Sequence, residues 1–347
     1  MFDPKYSITN RVLKNIGTIE AAREVIADAP LLPLWEKRFR EDAVIRTAHH
    51  GTHIEGNRLN LTEAKDVLMG KDVVGRPRDV QEVINYRKTL QIIEQEVDRD
   101  VQKVTEGAIK KLHKTVVEGI LNNDQVGEYR TKQVVIRNSL TGEITFRPPP
   151  AVEVPFLMRE FIYWINKMDA NEIHPILKAG INHHELVRIH PFIDGNGRVG
   201  RALATLILFI EKYDIRRFFS LEEYYDKDAI SYYENLKKAT SGDLSPWLEY
   251  FTLGVAIEFE RIKNKILKLS KDTYLKEKLG GKQVFITERQ TKIIEYIQSV
   301  GYLQNQSFKE VITDASEDTI LRDLKELIDK GIIKKVGKTK AARYVMV

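Results

Sequence analysis

The sequence predicts a mainly α-helical protein with one β-hairpin, followed by a small α+β domain. Three observations support this fold class. Residues 176–189 carry apolar side chains at helical spacing, and residues 202–210 are apolar almost all round, as in a buried helix. Residues 134–147 contain two short β-prone runs around a turn. The last sixth of the chain reads as three helices and a β-ribbon.

Composition limits the classes of protein that fit. A chain of 347 residues predicts two domains or more, with 42% hydrophobic residues for a core and 30% charged residues. The net charge of +5 is too small to imply nucleic acid by itself. The chain has no cysteine, which excludes disulfides and thiolate metal sites. Without a signal-peptide pattern or an apolar run long enough to span a membrane, we expect a cytoplasmic protein with no membrane partner.

The most informative segment, residues 190–201, reads His-Pro-Phe-Ile-Asp-Gly-Asn-Gly-Arg-Val-Gly-Arg and lies between the two predicted helices. Gly195 and Gly197 permit positive φ and close backbone approach, so successive N–H groups can form an anion nest. The start of the second helix adds unpaired N–H groups and the positive end of its dipole. This loop is therefore a predicted phosphate-binding site.

The charged side chains of the same loop extend this prediction. Asp194 is a hard oxygen ligand suited to Mg²⁺, which usually shares its coordination shell with phosphates. Arg198 and Arg201 are three residues apart, lie on one helix face and can each bind phosphate oxygens. His190 can accept a proton near neutral pH. The segment therefore predicts a site for a nucleoside triphosphate and Mg²⁺.

The segment resembles, position for position, the signature His-Pro-Phe-x-Asp/Glu-Gly-Asn-Gly-Arg-x-x-Arg of the Fic family. The resemblance implies a Fic-type helical bundle that transfers AMP from ATP to a Ser, Thr or Tyr hydroxyl of a target protein, with autoAMPylation as a common accompaniment. It implies that His190 is the general base and that Asp194 holds Mg²⁺ on the α- and β-phosphates. The residues implied in phosphate binding are Gly195, Asn196, Gly197 and Arg198, with Arg201 on the γ-phosphate. A kinase-like branch has Lys at position 197, so Gly197 favours nucleotidyl transfer.

A second resemblance lies upstream, where residues 51–57 match the inhibitory motif Ser/Thr-x-x-x-Glu-Gly/Asn of some Fic proteins. It implies that Glu55 pairs with Arg201 at the γ-phosphate position, since a carboxylate competes with phosphate for arginine. The chain departs from the motif at Gly51, with Thr52 one residue later, which puts the anchoring hydroxyl in doubt. An ordinary glycine-capped helix end is the alternative interpretation of Glu55 and Gly56.

Two further segments resemble parts of the family's site. The hairpin in 134–147, ended by Pro148 to Pro150, resembles the flap that holds the target by strand pairing. A surface hairpin without a binding role would have the same sequence pattern. The Tyr-Tyr-x-x-Leu segment resembles one that closes the adenine pocket, with core aromatic packing as the alternative. Its candidate residues are Tyr232, Tyr233 and Asn235.

The remaining histidines give no catalytic signal. His183 and His184 do not have the spacing of a zinc-binding His-Glu-x-x-His helix, so we expect no zinc and expect His183 to pack beneath the site. His49, His50 and His53 lie close to Glu55 in sequence. They could titrate near neutrality and bias the inhibitory segment, but we expect solvated helix residues.

The end of the chain resembles a winged helix-turn-helix domain, after a linker marked by Gly280-Gly281. Its predicted elements are helices 287–298, 308–312 and 316–330 and strands 332–336 and 342–347. Residues 330–347 contain six basic and no acidic residues, which favours contacts with DNA phosphates. Five acidic residues on the presumed recognition helix oppose this: Glu317, Asp318, Asp323, Glu326 and Asp329. DNA binding and protein recruitment therefore remain alternatives.

These patterns predict three regions. They are an N-terminal helical region with the inhibitory motif (1–100), a Fic catalytic core (101–265) and a winged helix-turn-helix domain (280–347). The function expected is a protein adenylyltransferase that is self-inhibited by Glu55. The alternatives are a deAMPylase using the same site, with Glu55 orienting a water, and a DNA-binding regulator whose pocket senses nucleotide. The resemblance also leaves association into a homodimer open.

Overall fold

The computed structural model describes residues 2–29, 33–98, 103–137, 142–167, 172–213, 217–278, 286–312, 315–337 and 342–347. The chain forms two compact units, residues 1–272 and 273–347. The predicted domain boundary at 100–101 and the linker at 280–281 lie outside the described residues. Among the described helices, none combines the length and the apolar character needed to cross a membrane.

The first unit consists of helices around one large apolar core, with a single hairpin. Its helices are α1 (Asn10–Asp28), α2 (Pro33–His53), α3 (Leu61–Leu68), α4 (Pro77–Asp98), α5 (Glu106–Val116), α6 (Val154–Lys167), α7 (Pro175–Ile189), α8 (Asn196–Ile210), α9 (Glu222–Lys227) and α10 (Ala229–Ala239), and α11 (Ser245–Lys278) begins in this unit and ends in the second. The structure confirms the mainly α-helical class.

The centre of this unit is the pair α7 and α8, which pack against each other along their length. Nearly every residue of both helices is buried. This explains why α8 is apolar almost all round, since a helix surrounded by other helices has no solvent face. The helix predicted at 202–210 begins six residues earlier, at Asn196. Glycines and arginines interrupt the apolar periodicity at the start of α8, so the sequence pattern does not show where the helix begins.

Helix α2 runs alongside this centre and packs against α4 and α9. Its last turns rest on a small separate core that includes Ala48, Leu59, Val83 and Tyr86. Because α3 and α4 contribute to that core, the C-terminal end of α2 and the turn after it are held next to α8.

The hairpin consists of β1 (Ile136–Arg137) and β2 (Ile144–Phe146), which pair antiparallel with a bulge at Ile136/Arg137. It lies within the predicted segment but has shorter strands. The predicted turn residues Asn138 and Ser139 lie outside the described residues, whereas Gly142 has φ 73°, as a tight turn requires.

The second unit contains α12 (Glu288–Val300), α13 (Phe308–Val311), α14 (Glu317–Asp329), β3 (Ile333–Val336) and β4 (Arg343–Met346). The strands pair antiparallel, with Ile333 opposite Met346. Thr287 and Ser316 cap α12 and α14 through their side chains, as helix-starting residues do. Three helices and a β-ribbon confirm the predicted winged helix-turn-helix domain. The turn at 338–341 lies outside the described residues.

One of the five acidic residues on α14 is buried, and a second, which is exposed, is hydrogen-bonded to α12. Asp323 is buried and accepts a 2.8 Å hydrogen bond from Arg289 Nε, and Glu326 accepts a 2.7 Å bond from Gln290 Nε2. These residues hold α14 against α12. The sequence argument against DNA binding therefore overestimates the negative charge that α14 presents.

Candidate active site

The loop between α7 and α8 is shaped by two residues with positive φ. His190 ends α7 in the left-handed conformation (φ 52°, ψ 57°), and Gly195 caps α8 with φ 79°. Asn196 closes the loop, since its Oδ1 accepts from Phe192 N and its Nδ2 donates to Phe192 O, both at 2.9 Å. The side chain of Asn196 thus holds the loop in shape and leaves the start of α8 facing the cleft.

Arg130 forms hydrogen bonds with the end of α7, where His190 has the left-handed conformation. Its Nε donates to His190 O at 2.8 Å, and its backbone N–H donates to Pro191 O at 2.8 Å. Its Nη2 donates to Pro149 O at 2.5 Å, next to the hairpin. A left-handed non-glycine residue costs about 1–2 kcal/mol, and hydrogen bonds from a charged donor can offset that cost. Sequence reasoning missed Arg130, because nothing around it forms a motif.

His113 supports the loop from α5. Its ring stacks on Phe192 with centroids 3.8 Å apart, and its Nδ1 accepts from Gly127 N at 3.0 Å. The proton therefore resides on Nε2, which lies 3.1 Å from Asp194 O. Burial lowers the pKa of His113 to about 4, so it stays neutral. This residue too was absent from the sequence-based site.

The imidazole of His190 lies in the cleft as a neutral base. Its Nδ1 lies 3.3 Å from Val187 O, and since a carbonyl only accepts, Nδ1 carries the proton and Nε2 carries the lone pair. Burial, the largest influence, lowers the pKa of His190, and the charge of Arg130 acts in the same direction. His190 is consequently uncharged at neutral pH.

The Asp194 carboxylate is ionised and is held by two arginines. Its Oδ2 accepts from Arg78 Nη2 at 2.8 Å, and its Oδ1 lies 3.4 Å from Arg198 Nη2. Burial by itself raises the pKa of Asp194, but Arg198 and Arg78 outweigh burial and lower it. An ionised, partly exposed carboxylate beside a phosphate nest fits Mg²⁺, which takes few protein ligands when phosphates supply the others.

Arg198 is also engaged by an acidic residue of α4. Its Nη1 lies 3.2 Å from Glu82 Oε1, which accepts a 3.0 Å bond from Arg78 Nε. Asp194, Arg78, Glu82 and Arg198 thus form a chain of alternating charges across α4 and the loop. No local sequence pattern links Arg78 or Glu82 to the motif, and sequence reasoning missed both.

Glu55 and Arg201 form the predicted ion pair. Arg201 Nη2 lies 2.9 Å from Glu55 Oε1, and the same nitrogen donates to Gly51 O at 2.7 Å. A Cβ added to Gly197 would overlap the Glu55 carboxylate, so this carboxylate sits directly over the glycine loop. Burial by itself lowers the pKa of Arg201, but Glu55 reverses this effect and the pKa stays well above its ordinary value.

The departure from the inhibitory motif at Gly51 has a packing reason. A Cβ at Gly51 would lie 2.7 Å from Tyr86 Cε1, closer than real Cβ contacts allow. The hydroxyl of the neighbouring Thr52 donates to Ala48 O at 2.9 Å within α2 and does not reach across to the loop. In this chain the backbone carbonyl of Gly51, rather than a side-chain hydroxyl, connects α2 to Arg201.

The three candidate adenine residues of α10 lie in different environments. Tyr232 is buried, and its hydroxyl lies 2.9 Å from His183 Nε2 and 3.5 Å from Arg201 Nη1. Tyr233 is 47% exposed and donates to Ile54 O at 3.2 Å. Asn235 Nδ2 donates to Ser231 O within its own helix. Tyr232 therefore packs in the core, whereas Tyr233 borders the inhibitory segment.

The histidines of α2 differ from the expectation of solvated helix residues. His49 is buried, and His50 Nδ1 lies 2.7 Å from Asp226 Oδ2. Only His53 is exposed. The expectation was wrong for His49 and His50, because α9 packs against this end of α2. His183 is buried next to Tyr232, which places it beneath the site as predicted.

Comparisons with known protein families match two parts of this chain. The Fic/DOC family model matches residues 103–208, and a DeoR-like helix-turn-helix domain matches residues 289–337. Among curated proteins, the chain is 29% identical over 216 residues to Protein adenylyltransferase Fic of Drosophila grimshawi, covering 62% of this chain and 42% of that protein. It is 28% identical over 243 residues to the Nematostella vectensis protein of the same name, covering 68% and 52%. The chain thus spans about half or less of these relatives.

Solved structures with the same architecture extend the similarity over the whole chain. A crystal structure of a Fic family protein from Desulfovibrio desulfuricans G20 has a TM-score of 0.67 at 25% identity, covering 100% of this chain and 98% of that one. Fic-1 (aa134–508) from C. elegans has a TM-score of 0.62 at 25% identity, covering 76% and 73%.

Proposed function

We propose that this chain, which contains a Fic domain followed by a helix-turn-helix domain, transfers AMP from ATP to a hydroxyl side chain of a target protein and is inhibited by its own Glu55. The observation that carries the proposal is the Glu55–Arg201 pair lying over the glycine loop, with a neutral His190 close enough for the Glu55 charge to act on it. The curated relatives named as protein adenylyltransferases support the type of reaction.

In this proposal the triphosphate binds at the start of α8. The main chain there offers unpaired N–H groups and a helix dipole, and the arginines supply charge-assisted hydrogen bonds. Bound Mg²⁺ would be held by Asp194 and would neutralise phosphate charge. The nucleotide-binding residues are Gly195, Asn196, Gly197, Arg198 and, for the γ-phosphate, Arg201. The candidate adenine contacts are Tyr232, Tyr233 and Asn235, of which Tyr233 is favoured because it is 47% exposed whereas Tyr232 is buried.

The chemical step uses the lone pair on His190 Nε2. This nitrogen takes the proton of the acceptor hydroxyl as the oxygen attacks the α-phosphorus. A new P–O bond forms, the bond to the β-phosphate oxygen breaks in line, and pyrophosphate leaves. General-base catalysis of this kind contributes about 10²–10⁴-fold, and the rest comes from positioning and charge neutralisation.

The acceptor side chain would come from a segment that pairs with the hairpin of β1 and β2. A two-stranded sheet has unpaired main-chain groups at its edges, and an extended peptide can add to them with little sequence selection. Ser, Thr and Tyr residues of the chain itself are acceptors of the same chemistry, so we expect self-labelling when the inhibition is relieved.

Inhibition follows because two side chains of the nucleotide site are already paired with other residues. Arg201 is paired with Glu55, and its guanidinium group cannot bind this carboxylate and a γ-phosphate at the same time. Asp194 is paired with Arg78 where Mg²⁺ would bind. ATP that enters the cleft therefore lacks two of the contacts that would orient its α-phosphorus.

Removal of AMP is a second candidate reaction of the same site. The Glu55 carboxylate is 29% exposed and acts electrostatically on His190. A carboxylate in that position can orient a water molecule toward a phosphodiester and accept the proton of that water as its oxygen bonds to phosphorus. The bond from phosphorus to the protein oxygen breaks, and the protonated form of His190 supplies the proton to this leaving oxygen. For the second unit, the match to a DeoR-like helix-turn-helix domain favours DNA as its ligand.

The decisive experiment is Mg²⁺-dependent labelling with α-³²P-ATP. It compares wild type, Glu55→Gly and Glu55→Gly/His190→Asn, where Asn tolerates the left-handed backbone of position 190. We expect strong self-labelling only in Glu55→Gly. Labelling that persists without His190 would rule out its role as the base. Absence of labelling in every sample, with ATP binding intact by calorimetry, would refute the transferase. Cleavage of AMP-protein by wild type but not Glu55→Gly would then favour AMP removal.

A further inference from the structure

Three histidines at the end of α2 gather around one carboxylate of α9. His50 Nδ1 lies 2.7 Å from Asp226 Oδ2, and His53 Nδ1 lies 2.8 Å from Asp226 Oδ1. The two rings approach Asp226 from successive turns of the same helix. Asp226 therefore joins the last two turns of α2 to α9 through one side chain.

His49 completes the group on its buried side. Its ring centroid lies 4.6 Å from that of His50 and 5.3 Å from that of His53. Ligand atoms of His49, His50 and Asp226 all lie within 4.8 Å of one another. Together with the contacts to Asp226, these distances place three imidazoles and one carboxylate in one group.

Contrary to the sequence-based expectation of no zinc, we propose that His49, His50, His53 and Asp226 bind a divalent transition-metal ion such as Zn²⁺, and that the bound ion holds the inhibitory segment in place. The second half of this proposal rests on the proposed inhibition by Glu55. Three imidazoles and a carboxylate are ligands that Zn²⁺ takes in tetrahedral sites, whereas Mg²⁺ and Ca²⁺ prefer oxygen alone.

The geometry requires only side-chain adjustments. Zinc–ligand bonds of about 2.0–2.1 Å place tetrahedral ligand atoms roughly 3.3 Å apart. The distances from Asp226 to His50 Nδ1 and His53 Nδ1, 2.7 and 2.8 Å, are slightly shorter than this. The ligand atoms of His49, His50 and Asp226 lie up to 4.8 Å apart, which is longer. His53 Nδ1 lies 2.8 and 3.0 Å from the two carboxylate oxygens of Asp226, so its ring is already next to the cluster of His49, His50 and Asp226. The ion would replace the protons that now link the imidazoles to Asp226.

The site is placed to act on Glu55. His53 is the last residue of α2, and Glu55 follows two residues later. Between them, Ile54 O accepts a hydrogen bond from Tyr233, while one turn earlier Gly51 O accepts from Arg201. Metal bonds from this turn to α9 would oppose any movement of the segment away from Arg201. Bound metal is therefore expected to strengthen inhibition, and a chelator to weaken it.

The test of binding uses the full chain without a histidine tag, stripped of metal by chelation. Zn²⁺ is titrated by calorimetry, and Co²⁺ is followed by its visible absorption. We expect one ion per chain, with binding at least tenfold weaker in Asp226→Asn and in His53→Gln. The matched control is His174→Asn, because His174 lies outside the cluster and Asn preserves its helix cap. No binding to wild type, or equal binding in all variants, would overturn the site.

The test of regulation has a readout that needs no activity. Amide hydrogen exchange of residues 50–57 should slow when Zn²⁺ binds wild type or Glu55→Gly, but not Asp226→Asn. In the labelling assay, Zn²⁺ should suppress any residual wild-type signal more strongly than that of Asp226→Asn or Glu55→Gly. Unchanged exchange on binding would refute the regulatory role. If no variant ever labels, the transferase proposal fails while calorimetry and exchange still decide the metal site.

Discussion

At the scale of single residues, the environment of His190 sets a pH dependence. Burial lowers its pKa below the ordinary value, and removing Glu55 removes a charge that raises it. The basic form is the active one, so activity is lost only as pH falls through this lowered pKa. We expect the labelling rate of Glu55→Gly to stay level from about pH 8 to below about pH 6.5, the ordinary histidine value. A pH–rate profile with its midpoint at or above that value would contradict the prediction.

Gly51 offers a prediction that runs against the family motif. Gly51→Ser restores the hydroxyl of the motif, but its Cβ would overlap Tyr86. Overpacking costs about 1–3 kcal/mol, which corresponds to about 5–150-fold in a conformational equilibrium. We therefore expect Gly51→Ser to label at least about fivefold more than wild type. Gly17→Ser is the matched control, because nothing lies near its Cβ. Labelling below wild type would mean that Tyr86 moves and the serine strengthens inhibition.

At the scale of elements, the sequence predicted the parts whose pattern is local. Helices α7 and α8 and the hairpin follow from periodicity and turn residues, and the family motif predicted the Glu55–Arg201 pair and the Fic-type bundle. The supports from α4, α5 and the segment after α5 could not be predicted. Arg78, His113 and Arg130 reach the loop only through packing between distant segments, which leaves no signal in their neighbours.

Arg130 should control the order of the catalytic loop. Arg130→Ala removes the donors to His190 O and Pro149 O, and bonds from charged groups are worth about 1.5–3 kcal/mol. We expect a destabilisation of about 2–3 kcal/mol, and faster hydrogen exchange at residues 189–195. Labelling in the Glu55→Gly background should fall because His190 loses its fixed backbone.

The control for this prediction is Arg159→Ala, which removes an exposed arginine of α6. Arg159→Ala should change neither the thermal unfolding midpoint nor the amide hydrogen exchange of residues 189–195. If Arg130→Ala also leaves the loop exchange unchanged, the left-handed conformation of His190 is maintained by Pro191 and Phe192 alone.

At the scale of the whole molecule, the candidate active site and the winged helix-turn-helix elements belong to different units. The candidate active site is built entirely from the first unit, residues 1–272, and the winged helix-turn-helix elements from the second. Each has its own apolar core. A variant that weakens ligand binding in one unit should therefore leave ligand binding in the other unit intact.

The second unit is expected to bind DNA through its β-ribbon. Lys334 and Lys335 are exposed on β3, and no acidic residue follows them in the chain. Phosphate contacts of this kind give affinities that fall steeply with salt. We expect Lys334→Glu/Lys335→Glu to weaken binding to duplex DNA at least about tenfold and to reduce the salt dependence by about one to two phosphate contacts. Fluorescence anisotropy at several salt concentrations measures the affinity and its salt dependence.

The control is Lys292→Glu, which reverses an exposed charge on α12. An equal loss of DNA affinity in both variants would indicate that the net charge alone attracts DNA. If wild type binds no DNA, the domain is assigned to protein recruitment.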